Sequence, residues 1–301
     1  MILTFETSKR TTDRTLQDIT KGLLERNIKS EHCEFDMEEY LKIPVPTYSK
    51  LEWKKLKQNL DDVRAFIWWG FTRNTKEIYK KAKETGKDFY FLDHAYIYHM
   101  KHGMFKDKLA TTPFVRMVKN EFVLTTIKDT NDTKLQKMKL EFIGGNELDI
   151  IDWKKNGNKI VIIPPSQWLG KVIDLDVTKM MNDSIEKIKQ HTDKEIVIRY
   201  KKPNKSYNPK PLIEDLKDAY AVVSFQSSSA AKAVTLGIPS FLMKPGYSAA
   251  QPMSSTDLTK IETPIYPDNR YEWLCSLANN QFTKAEIISG KAMEYLDEHD
   301  A

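Results

Sequence analysis

The stretch Tyr220-Ala-Val-Val-Ser-Phe-Gln-Ser-Ser-Ser-Ala-Ala-Lys-Ala-Val-Thr-Leu-Gly-Ile-Pro-Ser-Phe-Leu242 decides the fold of this chain. It predicts a buried strand from Ala219 to Ser224, a polar turn from Gln226 to Ser229, a small-residue helix from Ala230 to Leu236 and a second strand from Ser240 to Met243. Gly237 ends the helix and Pro239 keeps it from resuming. A strand running through a hydroxyl-rich turn into a helix presents unpaired N–H groups and the positive end of the helix dipole. That suits an anion, above all a phosphate. The same pattern also describes an ordinary β-α-β unit of an open α/β sheet, and the residues alone leave both readings standing.

Strand and helix patterns alternate outward from this stretch in both directions. Upstream, Lys159 to Pro164 and Glu195 to Tyr200 read as strands, and Val177 to Gln190 as a helix with Met180, Met181, Ile185 and Ile188 on one face. Pro211 to Lys217 reads as a short helix. In the first half, Ile2 to Phe5, Val63 to Gly70 and Asp88 to Leu92 read as strands, with helices over Leu16 to Asn27 and Thr75 to Gly86. This order predicts parallel sheets with helices on both faces. A polar region from Ile143 to Asn158 interrupts it. We therefore expect two Rossmann-like domains, at 1–150 and 151–275, with a C-terminal helical segment at 276–301.

Composition narrows the class. A length of 301 residues fits two domains of about 100–200 residues each. Hydrophobic content of 40% and charged content of 30% describe a globular protein with a polar surface. No apolar run approaches the ~18 residues of a membrane span, and the opening Met1-Ile-Leu-Thr-Phe-Glu lacks signal-peptide regions, so a cytoplasmic protein is expected. Cys33 and Cys275 are far apart, with no His or Cys at ligand spacing, which argues against a zinc site or a disulfide framework. A net charge of +5 permits a polyanionic partner without requiring one.

The Tyr220–Leu242 stretch resembles the second-domain motif of GT-B glycosyltransferases, which include bacterial capsule-type enzymes and phage enzymes that glycosylate DNA. The order of short motifs, and the ending Tyr271-Glu-Trp-Leu-Cys-Ser-Leu-Ala-Asn-Asn-Gln-Phe-Thr283 followed by Glu286-Ile-Ile-Ser-Gly290, look like phage-encoded proteins of this type. The resemblance implies a deep cleft between two domains and C-terminal helices returning to the first. It implies that Gln226, Ser227, Ser228 and Ser229 hold the diphosphate of a nucleotide-sugar donor, a UDP-sugar. It further implies metal-independent transfer of the sugar to a hydroxylated base in double-stranded phage DNA. A surface polysaccharide or small acceptor, or a non-catalytic DNA-binding protein on the same scaffold, are the alternatives. The chain departs from the broad family in having no obvious Glu near the Ser-rich turn to hold the ribose.

Further candidates lie at predicted strand ends, where open α/β sheets bind ligands. Ser166 and Gln167 follow two prolines that fix a turn, so they are held toward a ligand or belong to a rigid turn. Arg199 ends its strand, and a planar, always-charged guanidinium suits phosphate. Ser254 and Ser255 are candidate sugar or ribose contacts, with a helix cap as the other reading. Asp93 and His94 are the candidate general bases for an attacking hydroxyl, with Asp93 first. Lys101, Lys106, Lys108, Arg116 and Lys119, interleaved with Tyr96, Tyr98, Phe105 and Phe114, are the candidate nucleic-acid contacts, or else a solvated loop over core aromatics. Asp174-Leu-Asp176 has the spacing of a metal motif but directly precedes a helix, and reads as a cap.

Overall fold

The computed structural model describes residues 1–5, 11–33, 60–71, 75–97, 114–141, 150–165, 167–200 and 212–299. The chain forms two compact α/β units. The first comprises Met1–Phe122, Lys171–Leu175 and Asn280–Ala301, and the second Val123–Gly170 and Asp176–Asn279.

The first unit contains β1 (Ile2–Phe5), α1 (Thr11–Glu25), β2 (Ser30–Cys33), β3 (Ala65–Trp69), α2 (Thr75–Thr85), β4 (Asp88–His94) and β5 (Val115–Lys119). The second contains α3 (Thr133–Glu141), β6 (Lys159–Ile162), α4 (Gln167–Val172), α5 (Val177–Lys189), β7 (Glu195–Ile198), α6 (Leu212–Leu216), β8 (Ala219–Ser224), α7 (Ser228–Thr235), β9 (Ser240–Leu242), β10 (Ser254–Ser255) and α8 (Arg270–Asn279). The chain then returns to the first unit as β11 (Gln281–Phe282), α9 (Lys284–Ile288) and α10 (Lys291–His299).

The strand order of the first sheet is β11-β5-β4-β3-β1-β2. β2, β1, β3 and β4 are parallel, and β5 runs antiparallel to both β4 and β11. One face is apolar by period-2 alternation and meets the helical stripes of α1 and the returning segment. Ile2, Ile67, Leu92 and Met117 pack there with Leu16, Ile19 and Leu23 of α1 and with Ile287, Met293 and Leu296. Gly22 is required in α1 because a Cβ would lie 2.0 Å from the Ile288 carbonyl oxygen. The other face is aromatic, with Trp68 stacked on Phe89 at 5.0 Å and Phe71, Phe91 and Phe122 in mutual contact. Asp297 of α10 accepts hydrogen bonds from Tyr90, from Lys119 at 2.8 Å and from Arg64 at 3.1 Å, which fastens the last helix to the sheet.

The second sheet is wholly parallel, in the order β10-β9-β8-β6-β7. Ile160, Ile162 and Val223 face Ile188 of α5 and Ile261 on one side, while Val161 and Val222 face Leu216 and Ala233 on the other. The two units share one winding. In each, the first strand lies inside, with the second strand on one side and the third on the other, as in β2-β1-β3 and β7-β6-β8. Ligands of such sheets bind beyond the carboxyl ends of the strands where the winding reverses.

Of the polar stretch expected to join the domains, residues 150–158 fall within the second unit. They are bound there, with Ile151 N–H donating to Thr235 O at 2.9 Å and Lys154 N–H to Gly237 O at 2.7 Å. Arg270 stacks over Trp153 at 4.0 Å and donates to Ile151 O at 2.6 Å. The chain leaves the first unit after Phe122, touches it again at Lys171–Leu175 and returns to it at Asn280, where changes near 150 and 276 were expected.

Candidate functional site

The carboxyl ends of β6 and β8 flank the reversal of the second sheet. β6 runs into Ile163-Pro164-Pro165 and then Gln167, whose Nε2 donates to Thr178 Oγ1 at 3.0 Å at the surface. Ser166 lies outside the described residues. β8 runs through Phe225 and Gln226 into α7. The helix begins at Ser228, two residues before the expected start, because Ser227 caps it: its Oγ accepts the Ser229 N–H and its carbonyl the Ala230 N–H, both at 3.1 Å. This cap does not engage the N–H of exposed Ser228, which faces a ligand or water in its place. Ala230, Ala231 and Ala233 are buried, so the helix lies close on its sheet.

Two buried polar atoms at this edge, the Gln226 side-chain oxygen and Ser224 Oγ, have no hydrogen-bond partner among the described residues. An unpaired buried polar atom is uncommon, and a ligand or a water at the site is what ordinarily completes it.

Neighbouring strand ends add charge. The Arg199 N–H donates to Ile162 O at 2.9 Å, which ties the end of β7 to β6. Its guanidinium forms an ion pair with Asp215 of α6, so a phosphate reaching Arg199 competes with an existing partner. Lys244 directly follows β9, where Met243 N–H donates to Ser224 O at 2.9 Å, and its side chain is exposed. Sequence reasoning passed over Lys244. Its signal was available, as a lysine just past the strand that follows the Ser-rich turn. Tyr247, beyond it, packs its ring on Phe225 at 5.0 Å.

Ser254 and Ser255 form β10, at the sheet edge and two strands from β8. Ser254 Oγ donates to Ala250 O at 2.6 Å, and Ser255 Oγ accepts the Asp257 N–H at 3.1 Å. Both hydroxyls are engaged locally. Asp257 caps the next turn, and hydrogen bonds from the Thr259 hydroxyl and N–H hold its carboxyl below the usual range. Asp176 caps α5 through the Thr178 and Lys179 N–H groups, while Asp174 pairs with Lys76. Among the described residues, no group of His, Cys, Asp and Glu is arranged to hold a metal ion.

In the first unit, β4 continues past Leu92 to His94. Asp93 Oδ1 accepts the His94 N–H at 2.8 Å, and Oδ2 accepts from Arg116 Nη2 at 2.7 Å. Arg116 is buried, with its guanidinium 5.4 Å from the Tyr96 ring centroid. Lys119 faces Asp297 at 2.8 Å and Asp88 at 3.5 Å. Neither cation presents an uncompensated charge for a phosphate backbone. Lys101, Lys106, Lys108, Tyr98 and Phe105 lie outside the described residues. Phe114 is buried, as are Trp68 and Trp69. The His94 ring is exposed and meets Trp69 edge-on at 6.4 Å.

No protein-family model matches this chain, and no curated protein matches its sequence. Among solved structures, it is similar to the β-Kdo 2,4-transferase of KpsC from Thermosulfurimonas dismutans, with 9% identity over 91% of this chain and 89% of that one at a TM-score of 0.45. The β-Kdo 2,7-transferase of the same KpsC is similar at 12% identity over 99% of each chain, with a TM-score of 0.44. A UDP-GlcNAc 2-epimerase from Methanocaldococcus jannaschii, solved with UDP-GlcNAc and UDP, is 14% identical over 80% of this chain and 83% of that one, at a TM-score of 0.26.

Proposed function

We propose that the chain is a glycosyltransferase that takes a nucleotide sugar, a UDP-sugar, as donor. The observation that carries this reading is a convergence at the second unit's reversal point. The Pro164-Pro165-Ser166-Gln167 and Gln226–Ser229 segments follow the two strands that flank it, and the Gln226 side-chain oxygen is buried there with no partner among the described residues. The donor diphosphate is assigned to the N-terminus of α7, with Lys244 and Arg199 as its cations. As the glycosidic bond to the leaving diphosphate breaks, charge grows on the phosphate oxygen. Fixed N–H dipoles and cations stabilise that charge without reorganising. Ser254 and Ser255 are left to the sugar end of the donor.

On the acceptor side we assign proton removal from the attacking hydroxyl to His94 rather than Asp93. To take a proton, Asp93 would have to release either a guanidinium or a backbone N–H. The His94 ring is exposed at the strand end. Consumption of UDP-sugars in the presence of EDTA tests the reading. Turnover should persist, because helix-end donors and cations carry the role a divalent ion would otherwise fill. Activity abolished by EDTA and restored by magnesium or manganese contradicts it.

The finer proposal is a hydroxylated base in double-stranded DNA as acceptor, and it rests on the resemblance and on Lys101, Lys106 and Lys108. A base undergoing chemistry leaves the stack, and phosphate contacts release counterions. DNA affinity should therefore fall steeply with salt, and neutralising the three lysines should flatten that slope. A protein that binds no DNA at ~50 mM salt, where phosphate contacts are strong, takes a polysaccharide or small acceptor instead.

A further inference from the structure

β5 sits between β4 and β11, and its Arg116 is paired laterally with Asp93 on one side and with Gln281 on the other. Residues paired across a sheet project to the same face, so these three polar side chains form one row across three strands. Two of the three are buried, Arg116 at 9% exposure and Gln281 at 0%, and Asp93 is half-buried. Its hydrogen bonds go to one short segment. Asp93 holds the N–H of His94, and Gln281 Oε1 accepts the consecutive N–H groups of Tyr96 and Ile97 at 2.9 and 3.1 Å. The backbone is thus gripped on both sides of an exposed imidazole. Burying a charged and an amide side chain is costly, the more so because Arg116 Nε has no hydrogen-bond partner among the described residues.

We propose that Gln281, carried back to the first unit by the chain's last segment, is a positioning residue for His94. It fixes the turn after β4 and so the place of the imidazole. The inference rests on the transferase reading and on the assignment of proton removal to His94.

Two variants test it. Gln281→Met keeps the length and removes the acceptor, and Gln281→Glu keeps an oxygen at the same reach. The readouts are amide hydrogen exchange at Tyr96 and Ile97, kcat for UDP-sugar consumption, and UDP affinity by calorimetry. Gln281→Met should speed exchange at both amides and lower kcat by about 10²-fold, the scale of a 1 Å misplacement. UDP affinity should stay at the wild-type value, and Gln281→Glu should recover exchange protection and part of kcat. Unchanged exchange, or faster exchange with wild-type kcat, overturns the positioning role while leaving the transferase reading intact. A wild-type protein that consumes no UDP-sugar overturns that reading, and the role falls with it.

Discussion

Replacing His94 with Ala should lower the turnover of a UDP-sugar by about 10²–10⁴-fold, the usual contribution of a general base, with donor affinity unchanged. The imidazole lies in the first unit, at the carboxyl end of β4, whereas the donor diphosphate is assigned to the second. Asp93→Asn should cost less. The amide oxygen still accepts the His94 N–H, and what is lost is the charge and the hydrogen-bond acceptor that face Arg116. Steady-state kinetics of the two variants beside the wild type separate the roles. Near-normal turnover in His94→Ala with a large loss in Asp93→Asn would return the base to Asp93.

Gly237→Ala should destabilise the protein by about 3 kcal/mol or more. The left-handed conformation costs an L-residue ~1–2 kcal/mol, and overpacking adds ~1–3 kcal/mol. Here φ is +73°, and a Cβ would lie 2.1 Å from the Asp152 carbonyl oxygen. The Gly-Ile-Pro ending of α7 therefore does more than stop a helix. It lets the 150–158 strap cross the helix end at backbone contact. Gly70 is the control, since φ is +65° and, its chain neighbours aside, no atom of the described residues lies within 4 Å of its Cβ position. Gly70→Ala should cost only the conformational term. Urea midpoints measure both, and a Gly237→Ala loss no larger than that of Gly70→Ala would contradict the close-approach account.

The parts of this fold legible in the sequence are those with strong local signals. β3, β6 and β8 are runs of β-branched and aromatic residues, α5 shows its stripe, and Gly237 with Pro239 marks the end of α7. The parts that were not legible depend on contacts between distant residues. β11 has two residues, Gln281 and Phe282, and becomes a strand only because Arg116 and Val115 lie beside it. The 150–158 strap is polar and reads as a linker, yet Trp153 and Ile151 are held by Arg270, more than a hundred residues on. The site divides in the same way. The Ser-rich turn announces itself, because a helix cap is written in adjacent residues. That Asp93 already has Arg116 as a partner, and Arg199 has Asp215, depends on sheet register and helix packing. A strand-end carboxylate looks the same in sequence whether or not a guanidinium occupies it.

The central claim is that the carboxyl edge of the second sheet holds a nucleoside diphosphate at the start of α7. Titration of the full chain with UDP, followed at the backbone amides by two-dimensional NMR, tests it most directly. The account predicts saturable shifts concentrated at Gln226–Ser229 and Lys244, with uridine giving none of comparable size at the same concentration, since the phosphates carry the contact. Saturable UDP binding that leaves the Ser228 and Ser229 amides unmoved, or no binding of UDP at all, would contradict it.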